Sequence, residues 1–469
     1  PALDFLHVAF PHWPWQYLPS GQQYPTDTTR IPGQVDSKWV RDSFQVEQGY
    51  QRYLLQLEYV DRLVQRLIAR LRGEGLWDRA LVVVAADHGV SFRPGQPRRR
   101  TTKANFADIA SVPLFVKAPG QETGRIDDSP VRTIDILPTV EDLLELRSGW
   151  RYDGRSARRG IVGRQSVAVL TGDEVRMDFD EFRAMRNAEV RRRIGLFGSG
   201  AGGVGAFALG TSSELVGGRP EAFPDAPAGD LRAEIEDQSL LEDVETASPA
   251  LPAYVRGRIT GGRIAPGTSL AVSLNGSIQA VVPAYADGGE LRFGAILRPG
   301  LFRDGRNSVA LYLVGGADGA PTLATLRGSS GASVAGRLVG EDGALRIKLA
   351  RTSLDVVPDA LAGFVDKLEA PDPLHLRIAG WAADPKAGRR AGRVLVFAGR
   401  TLIGSGPTGV ARLDVAEDLG RLAVLSGYRL DVIHRDAEQV AGDPSRVRVF
   451  GVLGGRASEL RYSESARRP

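Results

Sequence analysis

The chain has 469 residues, 42% of them hydrophobic, 25% charged and 7% aromatic, the make-up of an ordinary globular protein, and at about 150 residues per domain it divides into about three domains. Lys and Arg number 60 against 56 Asp and Glu, a net charge of +4; the one dense basic run, Arg98-Arg99-Arg100, is too short to line a nucleic-acid groove, so no nucleic-acid partner is expected. The absence of cysteine excludes disulfides, a thiol nucleophile and thiolate-ligated metals within this sequence, and no run of about 18 apolar residues offers a membrane span.

Residues 3–10 are short, apolar-rich and contain His7, the pattern of a buried strand. Because the chain opens on Pro1 with what reads as fold interior, a further N-terminal segment is expected upstream, able to carry a membrane anchor. Pro11, Pro14, Pro19, Ser20 and Gly21 then enforce a loop. Tyr53, Leu57, Val60, Val64, Leu67 and Leu71 recur at three- and four-residue intervals, predicting an amphipathic helix stopped at Gly73 and Gly75. Residues 80–86, ALVVVAA, form a nearly unbroken apolar run suited to a strand of a parallel sheet covered on both faces. A strand at 112–116 and a helix at 139–146, with Pro138 tolerated at its start, complete an α/β layer.

Beyond it, 194–210 is glycine-rich and reads as a loop. Residues 221–252 read as a linker, with a short acidic helix expected at 231–244. Short strands follow at 254–259, 270–274, 278–282 and 309–314, with Asn275-Gly276 as a hairpin turn. The same texture returns with strands at 374–378, 394–397 and 447–452. The expected organisation is therefore an α/β domain over 1–220, the linker 221–252, β-sandwich-like modules at 253–330 and 331–455, and a tail at 456–469.

Asp87-His88-Gly89 is the sharpest local feature, because it follows the apolar strand directly, and open α/β sheets place sites at strand carboxyl ends. A carboxylate beside an imidazole suits calcium, manganese or zinc, and Gly89 permits close backbone approach; the same residues could equally cap a turn and fill a half-buried position. His12, between Pro11 and Pro14, can contact an anionic leaving group or act as a general acid, or it can belong to an aromatic loop that only packs. Lys103 can hold a sulfate or phosphoryl oxygen or be a solvated surface residue, and Arg98 to Arg100 can steer anions to the same rim or form a charged loop. Asp108, Asp127, Asp128 and Asp135 are further acids that no spacing singles out. Trp381, Tyr428 and Tyr285 either stack on a sugar or fill module cores.

Four segments in order, LHVAFPHWP (6–14), VVAADHG (83–89), VPLFVKAPG (112–120) and VRTIDILPT (131–139), with Lys103 between the second and third, resemble the sulfatase family of the alkaline-phosphatase superfamily over about residues 1–150. The resemblance implies part of that family's three-layer α/β core. It implies that Asp87 and His88 are two ligands of one divalent metal ion, that Lys103 contacts the sulfate or phosphate group, and that His12 lies beside the substrate. The nucleophile and the remaining acidic ligands of the family have no counterpart in this sequence, so an inactive fragment of a metal-dependent hydrolase or phosphotransferase is expected. Its substrate is expected to be an anionic ester of a glycan, lipid-linked or other cell-envelope component, met at the extracytoplasmic face of the cell membrane. A non-catalytic glycan- or envelope-binding protein on the same scaffold is the alternative.

Overall fold

The structure, a computed structural model, describes residues 3–26, 31–171, 173–198, 207, 209, 212–317, 320–329, 336–340, 345–349, 352–372, 375–434, 436–464 and 466. It divides into two compact units, Pro1–Ser20 with Arg30–Leu209, and Gly21–Thr29 with Gly210–Pro469.

The first unit is mixed α/β. A hairpin of β1 (Gln34–Val35) and β2 (Lys38–Trp39) leads into α1 (Ser43–Gly73), whose Asp42 side chain accepts from the Gln45 N–H and satisfies one orphan donor at the helix start. The first half of α1 is the buried half, and it buries polar residues, with Gln48, Gln51, Arg52 and Gln56 all covered. The apolar stripe that predicts the helix lies mostly in its second half, and its Leu57 and Leu67 are exposed. Then come β3 (Val82–Ala85), α2 (Phe106–Ala110), β4 (Leu114–Lys117), a 3-10 turn at Thr133–Asp135 running into α3 (Ile136–Leu143), the hairpin β5 (Ser166–Thr171) and β6 (Asp173–Asp178), and α4 (Phe179–Phe197).

Two expectations for this unit fail. Residues 3–9 form no strand and are exposed, Leu3 and Phe5 at 90% and 87%, because among the described residues no strand pairs with them. Among the described residues β3 is not a strand of a parallel sheet; it pairs antiparallel with β4 alone, Val82 opposite Lys117 and Ala85 opposite Leu114, and is only half-buried. Helix α4 falls where no helix is expected. Its start is nonetheless written in the sequence, since Asp178 accepts from the Asp180 and Glu181 N–H groups and the first turn is acidic. The glycine-rich stretch 194–210 begins as the last turn of α4, and most of the rest lies outside the described residues.

The unit's core is aromatic. Trp15, Trp39, Tyr50, Tyr53 and Phe92 pack with ring centroids 4.8 to 6.4 Å apart. Burial pushes the Tyr53 hydroxyl up to about 12.

The second unit is almost all β. Tyr254–Thr260, Ser269–Leu274, Ser277–Pro283 and Val309–Ala317 coincide closely with the expected strands. Asn275 and Gly276, at φ 52° and 79°, make the left-handed pair that a two-residue hairpin needs. These strands distribute into a four-stranded and a five-stranded sheet. The expected acidic helix is instead the strand Arg232–Ile235 within the five-stranded sheet, followed by a 3-10 turn at Gln238–Leu241. Its alternation of exposed and buried residues, with Ala233 and Ile235 inward, is a strand period.

Further along, seven strands close into a barrel rather than a sandwich: Arg337–Val339, Arg346–Lys348, Ser353–Val356, Arg456–Glu459, Val447–Leu453, Arg393–Ala398 and Thr401–Pro407. The pairing of Arg337 with Thr401 closes it. Arg456–Glu459 is thus a barrel strand, and part of the remaining tail lies outside the described residues, as does Leu374. A five-stranded sheet built on Ala362–Asp372 and His375–Asp384 accompanies the barrel. Val394 and Val396 belong to the core formed with that sheet, while Leu395 and Phe397 belong to the barrel's own, so one strand is buried on both faces.

Candidate active site

The site lies in the first unit, on two loops held from below. The loop after β3 is fixed at Gly89, whose N–H donates to the Ile109 carbonyl at 2.8 Å; a Cβ there would stand 2.0 Å from the Asp108 carbonyl oxygen, so only glycine fits. Two residues on, the Ser91 hydroxyl donates to Asp108 at 2.9 Å, the Trp39 indole donates to the Ser91 carbonyl at 2.7 Å, and Phe92 is buried in the aromatic core. The His12 loop is held by the buried polar residues of α1. Gln56 donates to the His12 carbonyl at 2.9 Å and accepts from the Gln16 N–H, while Arg52 donates twice to the Trp15 carbonyl.

Hydrogen-bond chemistry fixes the imidazole tautomers. The Arg99 guanidinium, which can only donate, lies with Nη2 2.6 Å from His88 Nε2 and Nη1 3.3 Å from His12 Nε2, so both Nε2 atoms accept. The protons then sit on the other nitrogens: His88 Nδ1 donates to the Gly89 carbonyl at 2.9 Å and His12 Nδ1 to the Trp13 carbonyl at 2.6 Å. Asp87 spends one oxygen, Oδ1, on the His88 N–H at 2.9 Å. Its other oxygen, Oδ2, stands 3.7 Å from His88 Nε2. Both atoms can donate a lone pair to one cation, and a separation of 3.7 Å accommodates an ion at about 2.0–2.5 Å from each. The Asp87 side chain is 85% exposed, so an ion could reach it from solvent. The pair therefore fits part of a divalent-metal shell. Among the described residues no group of three or more His, Cys, Asp or Glu side chains forms a complete one.

Thus His12 and the adjacent pair Asp87-His88, distant in sequence, are brought together through Arg99. Lys103 is exposed in the turn before α2, makes no hydrogen bond or ion pair among the described residues, and is not tied to that cluster. His7 is exposed, and His375 and His434 belong to the second unit.

Sequence reading names Arg99 only as one of three arginines that can steer anions or form a charged loop, not as the partner of His12 and His88. A run of three arginines resembles any charged loop, and the two partners that give Arg99 meaning are 11 and 87 residues away. Its loop is fixed by the Ser91 N–H donating to the Arg98 carbonyl at 3.0 Å and by buried Asn105 donating to the Pro97 and Arg100 carbonyls, each at 3.0 Å.

The other candidate acids divide cleanly. Buried Asp108 accepts from Ser91, Arg93 and Arg193, and buried Glu189 of α4 accepts from Arg93, Arg192 and Arg193, tying α4 to the loop behind the site. Burial pushes the Glu189 carboxyl up, but the hydrogen bonds from Arg192 and Arg193 and the nearby charges outweigh it and hold it at about 2. Asp135 is fully buried; burial raises its carboxyl, and the Arg164 guanidinium with the Arg132 and Arg155 N–H groups brings it below the usual range. It knots the start of α3 and is not available for chemistry. Asp127 is held low by Ser129 and Arg125. The aromatic candidates of the second unit fill cores: Tyr285 is 5% and Tyr428 2% exposed, and Trp381 packs beside Ala383, Val415 and Ala423.

Residues 1–146 match the family model described as Sulfatase. A sulfatase of Formosa agariphila is 26% identical over 129 residues, 28% of this chain and 25% of that protein. An endo-4-O-sulfatase of Bacteroides thetaiotaomicron is 26% identical over 147 residues, 29% of this chain and 27% of that one. Among solved structures, phosphonate monoester hydrolase from Silicibacter pomeroyi is 28% identical, with 26% of this chain and 25% of that chain covered and a TM-score of 0.25. The chain spans about a quarter of the length of these relatives. The N-terminal region is thus sulfatase-like and falls within the alkaline-phosphatase superfamily. No helix among the described residues is long and apolar enough to cross a membrane.

Proposed function

We propose that the first unit is part of a metal-dependent sulfatase-like hydrolase or phosphotransferase. Its substrates would be sulfate or phosphate esters of a glycan, lipid-linked or other envelope component, met at the extracytoplasmic face of the cell membrane. The single observation that carries this reading is the meeting of His12 and His88 on one cation, with the free oxygen of Asp87 alongside.

In this reading Asp87 Oδ2 and His88 Nε2 hold calcium, manganese or zinc, and the bound ion supplies positive charge that offsets the repulsion between ester oxygens and a nucleophile. The chain's own residues do the rest. The Gly89 carbonyl keeps the His88 lone pair pointed outward, and the Trp13 carbonyl does the same for His12. His12, fixed by Gln56, holds or accepts a proton at Nε2 beside the leaving oxygen. Lys103, without a partner among the described residues, places its ammonium on a sulfate or phosphoryl oxygen. The nucleophile and the other ligands come from additional chain. The exposure of Leu3, Phe5, Leu6 and Phe115 supports this, as apolar surface that further protein would cover. By itself the 469-residue chain is then inactive.

Calorimetric titration of Mn²⁺, Ca²⁺ and Zn²⁺ into the wild-type chain and an Asp87→Ala/His88→Ala variant tests the reading. Binding weakened at least about tenfold in the double variant is expected, since both ligands are gone. Equal affinity in the two proteins would refute it. A metal-dependent rate on an aryl sulfate or aryl phosphate above that of the double variant would refute the proposed inactivity.

A further inference from the structure

Arg99 has three features that an ordinary surface arginine lacks. It donates through both terminal nitrogens to imidazole lone pairs, at 2.6 and 3.3 Å. Among the described residues no carboxylate lies within ion-pair distance of it, and its hydrogen-bond partners are two imidazole rings. Its backbone is anchored through Arg98 and Asn105, so a change of its position needs only side-chain rotation.

His88 Nε2 has a single lone pair, so the one Arg99 occupies is also the one a divalent ion shared with Asp87 Oδ2, 3.7 Å from the same nitrogen, would need. Guanidinium and metal cannot both hold it. Once freed, the fork of two parallel N–H groups matches two oxygens of a sulfuryl or phosphoryl group, a geometry that lysine cannot reproduce.

Resting on the reading of Asp87 and His88 as a metal-holding pair, we infer that Arg99 governs entry to that pair: its guanidinium competes with a divalent cation for His88 Nε2 and, displaced from it, grips the anionic group of the ester. Arg99 is thus a positioning and anion-recognition residue for the same site. Arg100 is its internal control. It is also exposed, carries the same charge, and makes no hydrogen bond to either histidine among the described residues.

The test is Mn²⁺ titration into the wild-type chain and into Arg99→Gln, Arg99→Lys, Arg100→Gln and Asp87→Ala/His88→Ala variants, followed by titration of inorganic sulfate and of inorganic phosphate into each Mn²⁺-loaded protein. Loss of a charged competitor's hydrogen bond predicts Mn²⁺ binding about tenfold tighter in Arg99→Gln, with Arg100→Gln within about twofold of wild type. Anion binding in Arg99→Gln is expected to fall about tenfold, and the anion that loses more identifies the ester class. Arg99→Lys keeps the charge and loses the fork; it covers the case in which the glutamine variant does not fold, and is expected to bind both anions more weakly than wild type. Unchanged or weaker Mn²⁺ binding in Arg99→Gln, or an equal gain in Arg100→Gln, overturns the inference while leaving the metal pair standing if the double variant alone loses Mn²⁺. Failure of Mn²⁺ to bind the wild-type and Arg99→Gln chains alike overturns the metal pair, and the competition with it.

Discussion

Two strands with nearly the same sequence texture meet opposite fates. Val394 to Phe397, in the second unit, are all buried, alternate residues serving the barrel core and the adjoining sheet. Val82 to Ala85, in the first, pair with a single neighbour among the described residues and remain half-exposed, with Phe115 of the partner strand 67% exposed. An unbroken apolar run states that both faces of a strand want cover; it does not state what supplies it. The second unit finds that cover within its own residues, whereas the first leaves Leu3, Phe5 and Phe115 exposed. The contrast supports assigning the chemistry to the first unit, whose loops are pinned by buried hydrogen bonds even where its sheet is small.

The largest effect that could break this contrast is in the aromatic core. Trp15→Ala empties the space between Trp39, Tyr53 and Phe92 and is expected to cost about 3–5 kcal/mol, read as a lowered thermal transition of the first unit with that of the second unit unmoved. A shift of both transitions by the same amount would contradict the separation into two cores.

Acid should act next, and on the same unit. Glu189 is held at about 2 in the fold against an ordinary 4.5, so the stability it contributes is complete above pH 4.5 and is lost as the pH falls towards 2. Glu189→Gln should flatten the first unit's stability across that window in a pH series of urea melts. A profile as steep as the wild type's would remove Glu189 from the account.

Gly89→Ala is smaller in energy and local in consequence. The added methyl meets the Asp108 carbonyl, which predicts a loss of about 1–3 kcal/mol and, because the loop must shift, weaker Mn²⁺ binding. Wild-type melting and binding in this variant would show that the loop is not pinned as described. Smallest of all is Phe5→Ser, on a residue already exposed, with an expected change within about 0.5 kcal/mol. A large destabilisation would mean that the segment is covered after all.

What a sequence makes legible depends on what each signal measures. The hairpin at Asn275-Gly276 and the strands around it were readable, because turn chemistry and apolar alternation are local. Asp87, His88 and His12 were readable as residues, since their spacing from a strand and from prolines is written in the chain. Their meeting point was not, because it is set by Gln56, Asn105 and Ser91, polar residues whose burial no hydropathy pattern reports. Closure of the second module into a barrel depends on pairing between strands as distant as Arg337 and Thr401, which local sequence does not encode. Helix α4 was hidden by its arginines, whose partners Asp108 and Glu189 turn a charged run into a packed face.

The most direct measurement is a crystal of the chain soaked in Mn²⁺ and phased for anomalous signal. The account predicts a peak at about 2.0–2.5 Å from both Asp87 Oδ2 and His88 Nε2, with the Arg99 guanidinium moved off His88. A peak elsewhere, or none while Arg99 keeps both histidines, would contradict it.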